Sequence, residues 1–364
     1  MPDQVPPLVR GVLLLWCTAS GCRDVDGDGD EALQPGRGPY GGPRGVPPGP
    51  LHTQRSGCCA FVMMAFDPPG APQTSLWNVL PMASALRQLS AYPLVVLTNA
   101  SRFPDGTDAA QGLRRLGVEP LPVLPVPVPE ALLSEPRAMP CAERTPPSCG
   151  LQFLKLQVWR LTQFERLIWM DSDAILTSSV DRLFRQAGTW AQQDNWDCGS
   201  WLSFLVRRSP VLTRAVDSLQ RRLWAPAEVR RQSAGACSGM LLLEPSEATY
   251  QGLIDFMGTL NSAPGGDQEV IARFFDEVLH EPLKLLKTST ASFGQCLGKT
   301  IPGGGISAFV HKSDWENRCF RLGAEAAECR SHPLGRYWHD HFCRASKAAA
   351  ISGASLSQFC MPWL

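Results

Sequence analysis

Leu154-Lys-Leu-Gln-Val-Trp-Arg-Leu-Thr-Gln-Phe-Glu-Arg-Leu-Ile-Trp-Met-Asp-Ser-Asp-Ala-Ile-Leu176 is the stretch that decides how this chain is read. Its first part carries apolar residues at helical spacing, which predicts a helix from Gln152 to Phe164. Arg166-Leu-Ile-Trp-Met170 is then a short apolar run, the pattern of a strand buried on both faces of a parallel sheet. Asp171-Ser172-Asp173 follows directly, and in such sheets ligands bind beyond the carboxyl ends of the strands. Two carboxylates two residues apart in an extended or turning backbone can reach one cation, and hard oxygen ligands suit magnesium or manganese. Taken alone the triplet reads equally as a solvated turn.

The flanking sequence repeats the same grammar. Ala60-Phe-Val-Met-Met-Ala65 and Pro93-Leu-Val-Val-Leu-Thr98 read as buried strands. Between them Leu76, Val79, Leu80, Met82, Leu86 and Leu89 recur at helical spacing. Ala109 to Leu116 reads as a helix, and Val118 to Val128 as an extended segment punctuated by prolines. Alternating strands and helices predict an α/β fold with a mostly parallel central sheet and helices on both faces.

Three ordered motifs carry a resemblance. The quoted stretch runs on to Val180-Asp-Arg-Leu-Phe184; further along stand Ser238-Gly-Met-Leu-Leu-Leu-Glu-Pro-Ser246 and Gly265-Gly-Asp-Gln268. With the opening strand and Tyr92-Pro-Leu-Val-Val-Leu-Thr98, they resemble glycogenin and related family 8 glycosyltransferases over about residues 58 to 312. The resemblance implies a GT-A nucleotide-diphospho-sugar transferase fold, a UDP-sugar donor, manganese or magnesium as cofactor, and a hexosyl transfer that retains anomeric configuration. Carried over by position, it implies Asp171, Asp173 and His311 as metal ligands. Lys155, Ser172, Ser238, Gly239 and Gly266 would lie against the donor, and Asp267 and Gln268 would hold the transferred sugar near the reacting carbon. Without the resemblance Lys155 reads as an exposed helix lysine, His311 as a structural histidine at the end of the strand Ala308 to Val310, and Asp267 as an N-cap of a helix from Gln268 to Val278.

The departures matter as much. Cys237 stands where the resemblance has asparagine, Pro264 where an acidic residue is usual, and Met63, Met64 and Ala65 where polar residues follow the first strand. The segment His311-Lys-Ser-Asp-Trp-Glu-Asn-Arg318 keeps its histidine and tryptophan. It has Asp314 for the expected glycine and Asn317 for the expected lysine, with Lys312 or Arg318 as substitute cations.

Composition sets the remaining bounds. Apolar residues make up 44% and charged residues 19% of 364, ordinary for a globular enzyme. Lys+Arg and Asp+Glu are both 34, which gives no reason to expect nucleic acid as a partner. No apolar run reaches the roughly 20 residues of a membrane-spanning helix. Residues 1–22 read as a secretory signal peptide, Arg10 preceding a short apolar run that ends in Ala19-Ser-Gly21; a plain leader is the other reading. Residues 23–56 read as a disordered Gly/Pro-rich linker. Its Asp24, Asp26, Asp28 and Gly29 imitate half a calcium loop, but the twelfth position is Pro35. Residues 57–318 form the expected catalytic domain, and 319–364 a loop-rich tail holding Cys319, Cys329, Cys343 and Cys360. Spaced cysteines there predict a disulfide and a secretory, Golgi-lumenal or secreted location, the cytoplasm being the alternative. His339-Asp-His341 could bind a metal but reads more simply as surface.

Three functions follow. The first is a glycosyltransferase acting on a glycan or glycoprotein acceptor. The second is a self-glucosylating glycogenin, for which only Tyr40, Tyr92, Tyr250 and Tyr337 are available. The third is a non-catalytic binder of nucleotide sugars.

Overall fold

The computed structural model describes residues 59–67, 75–133, 150–193, 236–263, 265–293, 307–311, 334–351 and 360. The leader, the linker, Lys312 to Arg318, Cys319 and Cys329 lie outside these residues. The strands are β1 (Cys59–Ala65), β2 (Leu94–Thr98), β3 (Val118–Leu121), β4 (Arg166–Met170), β5 (Ala174–Leu176), β6 (Trp190–Gln193), β7 (Ala236–Leu243), β8 (Lys284–Leu285), β9 (Ala291–Phe293) and β10 (Phe309–His311). The helices are α1 (Ser75–Leu89), α2 (Ala109–Arg115), α3 (Glu130–Leu133), α4 (Glu247–Gly258), α5 (Gly266–Arg273) and α6 (Gly335–Ala348).

A seven-stranded sheet runs β3-β2-β1-β4-β7-β6-β8. β1, β2, β3 and β4 are parallel; β7 alone runs against its neighbours β4 and β6. The mostly parallel α/β sheet expected from the sequence is therefore present. Alternate side chains feed two cores, as a two-residue strand period requires. Phe61, Met63, Ile168, Met170 and Met240 pack with α1, α2 and α6. Ala60, Val62, Leu167, Trp169 and Leu241 pack with the segment 151–160, α4 and α5 on the other face. Because both faces are covered, the strands carry continuous apolar runs.

Three local readings change. The helix expected from Gln152 to Phe164 is a 3-10 helix, Leu151–Arg160, with Phe153 to Trp159 all buried. Packing on every side, rather than one amphipathic stripe, shapes this segment. The helix expected over Gln268 to Val278 is α5 followed by a π turn, Phe274–Val278. The tail, expected to be loop-rich, contains the 14-residue α6, whose Trp338, Phe342 and Ala345 join the core beside α1. Cys343 is disulfide-bonded to Cys360, which fastens residue 360 to this helix.

Asp67, just past β1, accepts hydrogen bonds from the Ser75 amide (2.9 Å) and hydroxyl (2.6 Å), capping α1. A three-stranded sheet, β5-β10-β9, sits beyond β4. Its antiparallel register sets His311 opposite Ala174, one residue after Asp173. Among the described residues no helix is long and apolar enough to cross a membrane.

Candidate active site

The alternation of β4 continues past its end, so Asp171 follows Leu167 and Trp169 on the same side. The Asp171 amide donates to the carbonyl of Gly239 at 2.8 Å, which holds β7 beside the Asp171-Ser-Asp173 turn. The Trp169 indole N–H donates to Asp171 Oδ1 at 2.8 Å. β10 approaches from the other sheet and brings His311 Nε2 to 3.4 Å from Asp171 Oδ2 and 3.2 Å from Asp173 Oδ1.

Lys155 lies under this turn, 5% exposed. Its Nζ is 2.9 Å from Asp171 Oδ1 and 2.8 Å from Asp267 Oδ2, and it donates to Ser238 Oγ at 2.8 Å. The Ser238 hydroxyl in turn donates to Asp267 Oδ2 at 2.8 Å. The ammonium has three N–H groups, and these oxygens engage them. Burial alone would depress the Lys155 pKa, but the two carboxylates outweigh it and hold it well above the usual lysine range. Burial would likewise raise the Asp171 carboxyl; Lys155 and His311 overcome this and hold it well below the usual carboxylate range. For His311, burial works downward while Asp173 and Asp171 work upward, and the pKa stands well above the ordinary histidine value.

The structure thus brings together Lys155, Asp171, Asp173, Ser238, Gly239, Asp267 and His311 from the 3-10 helix, β4, β7, α5 and β10. Ser172 and Gln268 flank members of this group, each partly buried. Gly266 adopts φ +63°, and a Cβ there would meet Gln152 Nε2 at 2.7 Å, so this turn is held for glycine. Asp267 is not the helix cap that its position suggested. Gly265 occupies the cap position, and Glu269 Oε2 reaches back to accept from its amide at 2.9 Å. The Asp267 carboxylate is turned to Lys155 and Ser238 instead.

Asp171, Asp173 and His311 offer ligand atoms that all lie within 4.8 Å of one another. His311 Nε2 is buried and makes no hydrogen bond of proper geometry, although it faces two carboxylates. An orphaned imidazole nitrogen between two carboxylates fits a divalent cation, with oxygen and nitrogen donors of the kind manganese and magnesium accept. The other histidine triplet does not form a comparable group. His341 is buried, with Nδ1 2.9 Å from Ser84 Oγ, and His339 Nε2 lies 3.6 Å from the bonded Cys343 sulfur. The Asn99 side chain is bonded at both ends, donating to the Val123 carbonyl (3.1 Å) and accepting from its amide (2.9 Å).

Comparison with known proteins agrees with the motifs. Glycogenin-1 of Caenorhabditis elegans is 28% identical over 130 residues, 35% of this chain and 22% of that protein. Galactinol synthase 4 of Arabidopsis thaliana is 24% identical over 215 residues, 57% of this chain and 59% of that one. The chain is similar to glycogenins and galactinol synthases. In each case the match spans less than two thirds of the relative's length. No family model matches the chain. Among solved structures, the glycosyltransferase GlyE of Streptococcus pneumoniae aligns over 80% of this chain and 62% of its own, with 14% identity and a TM-score of 0.45.

Sequence reasoning did not single out Trp169, Gln152 or Phe293, which stacks on His311 with centroids 5.3 Å apart. Trp169 carried a usable signal: two residues before Asp171 on a strand, it shares that side chain's face.

Proposed function

We propose that the chain is a metal-dependent retaining glycosyltransferase that moves a hexose from a UDP-sugar to a glycan or protein acceptor. The observation that carries this reading is the convergence of Asp171, Asp173 and His311 just past the end of β4, over a buried Lys155 that also grips Asp267. The similarity to glycogenins and galactinol synthases supports it. Asp171, Asp173 and His311 would hold manganese or magnesium, which when bound supplies positive charge to offset that of the departing nucleoside diphosphate. Lys155 fixes the two aspartates relative to each other, so their carboxylates need no reorganisation during reaction. Asp267, with Gln268 beside it, presents negative charge suited to an oxocarbenium-like sugar. Ser238 holds Asp267 from β7, and Gly239 keeps the backbone bare beside His311.

The acceptor is taken to be another molecule rather than the chain's own tyrosine. Tyr250 is buried beneath Arg160, Tyr337 donates to the Leu176 carbonyl at 2.9 Å, and Tyr92 packs on Phe184; Tyr40 lies outside the described residues. An oxidising, secretory compartment is part of the proposal, supported by the Cys343–Cys360 disulfide. Peptide mapping of protein from its native source should find that pair bonded, and free thiols there would point to the cytoplasm.

Turnover of a panel of UDP-sugars by the purified chain, with and without manganese, tests the activity. The expected result is metal-dependent release of UDP with at least one donor, abolished in Asp173→Asn with little change in metal-free melting temperature, since Asp173 is partly exposed. Metal-dependent UDP binding without turnover of any donor would favour the non-catalytic reading.

A further inference from the structure

His311 is gripped on three sides. Phe293 stacks on its ring at an interplanar angle of 26°. Against Gly239 the fit is so close that a Cβ there would fall 2.1 Å from Nδ1 and Cε1. At the ring edge, Cys237 Sγ lies 3.7 Å from Nδ1 and also accepts the Gly239 amide at 3.4 Å. Cys237 is a buried free thiol on β7, and His311 is 1% exposed. The far nitrogen, Nε2, points between Asp171 and Asp173 without a hydrogen bond to either.

We infer that Cys237 is a positioning residue for the cation site: its sulfur accepts the Nδ1 proton of His311, so that Nε2 presents its lone pair toward Asp171 and Asp173. The inference rests on the metal-binding reading above. An imidazole that ligates a cation is neutral and carries its proton on one nitrogen only, and the bond made by that nitrogen sets the role of the other. Metal-ligating histidines almost always pass their second N–H to an acceptor. Here the group placed to take it is the Cys237 sulfur. Thiol sulfur is a weak acceptor, but stacking on Phe293 and the close contact with Gly239 hold the ring plane with Nδ1 toward it. A ring protonated on Nε2 could not ligate through the nitrogen that faces Asp171 and Asp173. Cysteine thus carries a task of orientation at the position where the resemblance has an asparagine.

The test is Mn2+ binding to the full chain in the presence of UDP, read from the electron paramagnetic resonance signal of free Mn2+. Cys237→Val keeps an apolar side chain on a buried strand and removes the acceptor. Cys237→Ser restores an acceptor at the cost of polarity. A thiol that only fills space would tolerate valine better than serine. A positioning thiol gives the reverse: the Val variant should lose roughly 10- to 100-fold in Mn2+ affinity, with its melting temperature near that of the wild type, while the Ser variant stays close to wild-type affinity. Should the Val variant not fold, Cys237→Ala carries the same expectation. Wild-type affinity in the variant lacking an acceptor, or tighter binding there than in Ser, overturns the inference. Asp173→Asn separates the two failures. If it binds Mn2+ normally, the cation site itself is wrong; if it loses binding while Cys237→Val keeps it, only the positioning role is wrong.

Discussion

Replacing Lys155 with methionine should remove the cation that joins two largely buried carboxylates. Nζ lies 2.9 Å from Asp171 and 2.8 Å from Asp267, and the three side chains are only 6%, 23% and 12% exposed. Removing one partner of a buried ion pair costs about 3–5 kcal/mol. Two ion pairs break at once, while His311 stays beside Asp171 and the Trp169 indole and the Ser238 hydroxyl still donate, so the cost stays within that range instead of doubling it, at about 5 kcal/mol. At roughly 2–4 °C per kcal/mol for a domain of this size, the melting temperature should fall by about 10–20 °C. The sign of the pH dependence follows from the shifts. In the wild type the Asp171 pKa is depressed, so its contribution is present at neutral pH and is lost as acid titrates it. In Lys155→Met, Asp171 keeps His311 but loses the Lys155 charge, so burial pushes its pKa up relative to the wild type and protonation relieves part of the penalty. The gap between variant and wild type should therefore narrow between about pH 7 and about pH 5. Thermal unfolding followed by circular dichroism at both pH values measures this. A variant melting within about 3 °C of the wild type at neutral pH, or a gap that widens in acid, would refute the reasoning.

Gly239→Ala would drive a methyl group to 2.1 Å from the His311 ring. It should lower both the melting temperature and Mn2+ affinity, measured by calorimetry on the same preparation. His341 provides a second pH test. Burial, helped by Arg344, pushes its pKa down from 6.5 to about 4. The unfolded chain therefore takes up a proton that the folded one refuses, and the stability from this site is complete above about pH 6.5 and lost toward about pH 4. The loss should be on the order of 3 kcal/mol, and denaturant titrations of wild type and His341→Asn across that window should differ in slope accordingly.

Much of the fold could be read from the chain because its central strands are buried on both faces. β1, β2 and β4 appear as short unbroken apolar runs, and the turn after β4 stands out as the first polar residues beyond such a run. Residues whose role depends on distant partners were less legible. Lys155 looks like any helix lysine until β7 and α5 are folded over it. His311 gains its meaning from an antiparallel register with β5 that no local pattern encodes. Asp267 sits where a cap belongs, yet Glu269 reaches back to the Gly265 amide and leaves Asp267 to Lys155. Cys237 reads in the sequence as a lost amide; only the 3.7 Å approach to His311 gives the sulfur a task. The α6 pattern is present in the chain, with Trp338, Phe342, Ala345 and Ala349 on one face, but it is interrupted by the polar run His339-Asp-His341 and by Cys343, which reads as a disulfide partner.

Asp171, Asp173 and His311 are proposed to hold a divalent cation against a nucleotide diphosphate. Isothermal titration of UDP into the purified chain, with and without Mn2+, addresses it most directly. UDP should bind measurably only when Mn2+ is present, and Asp173→Asn should remove that dependence together with the binding. Equal UDP affinity with and without the cation, or wild-type Mn2+-dependent binding in Asp173→Asn, would contradict the assignment of these three residues.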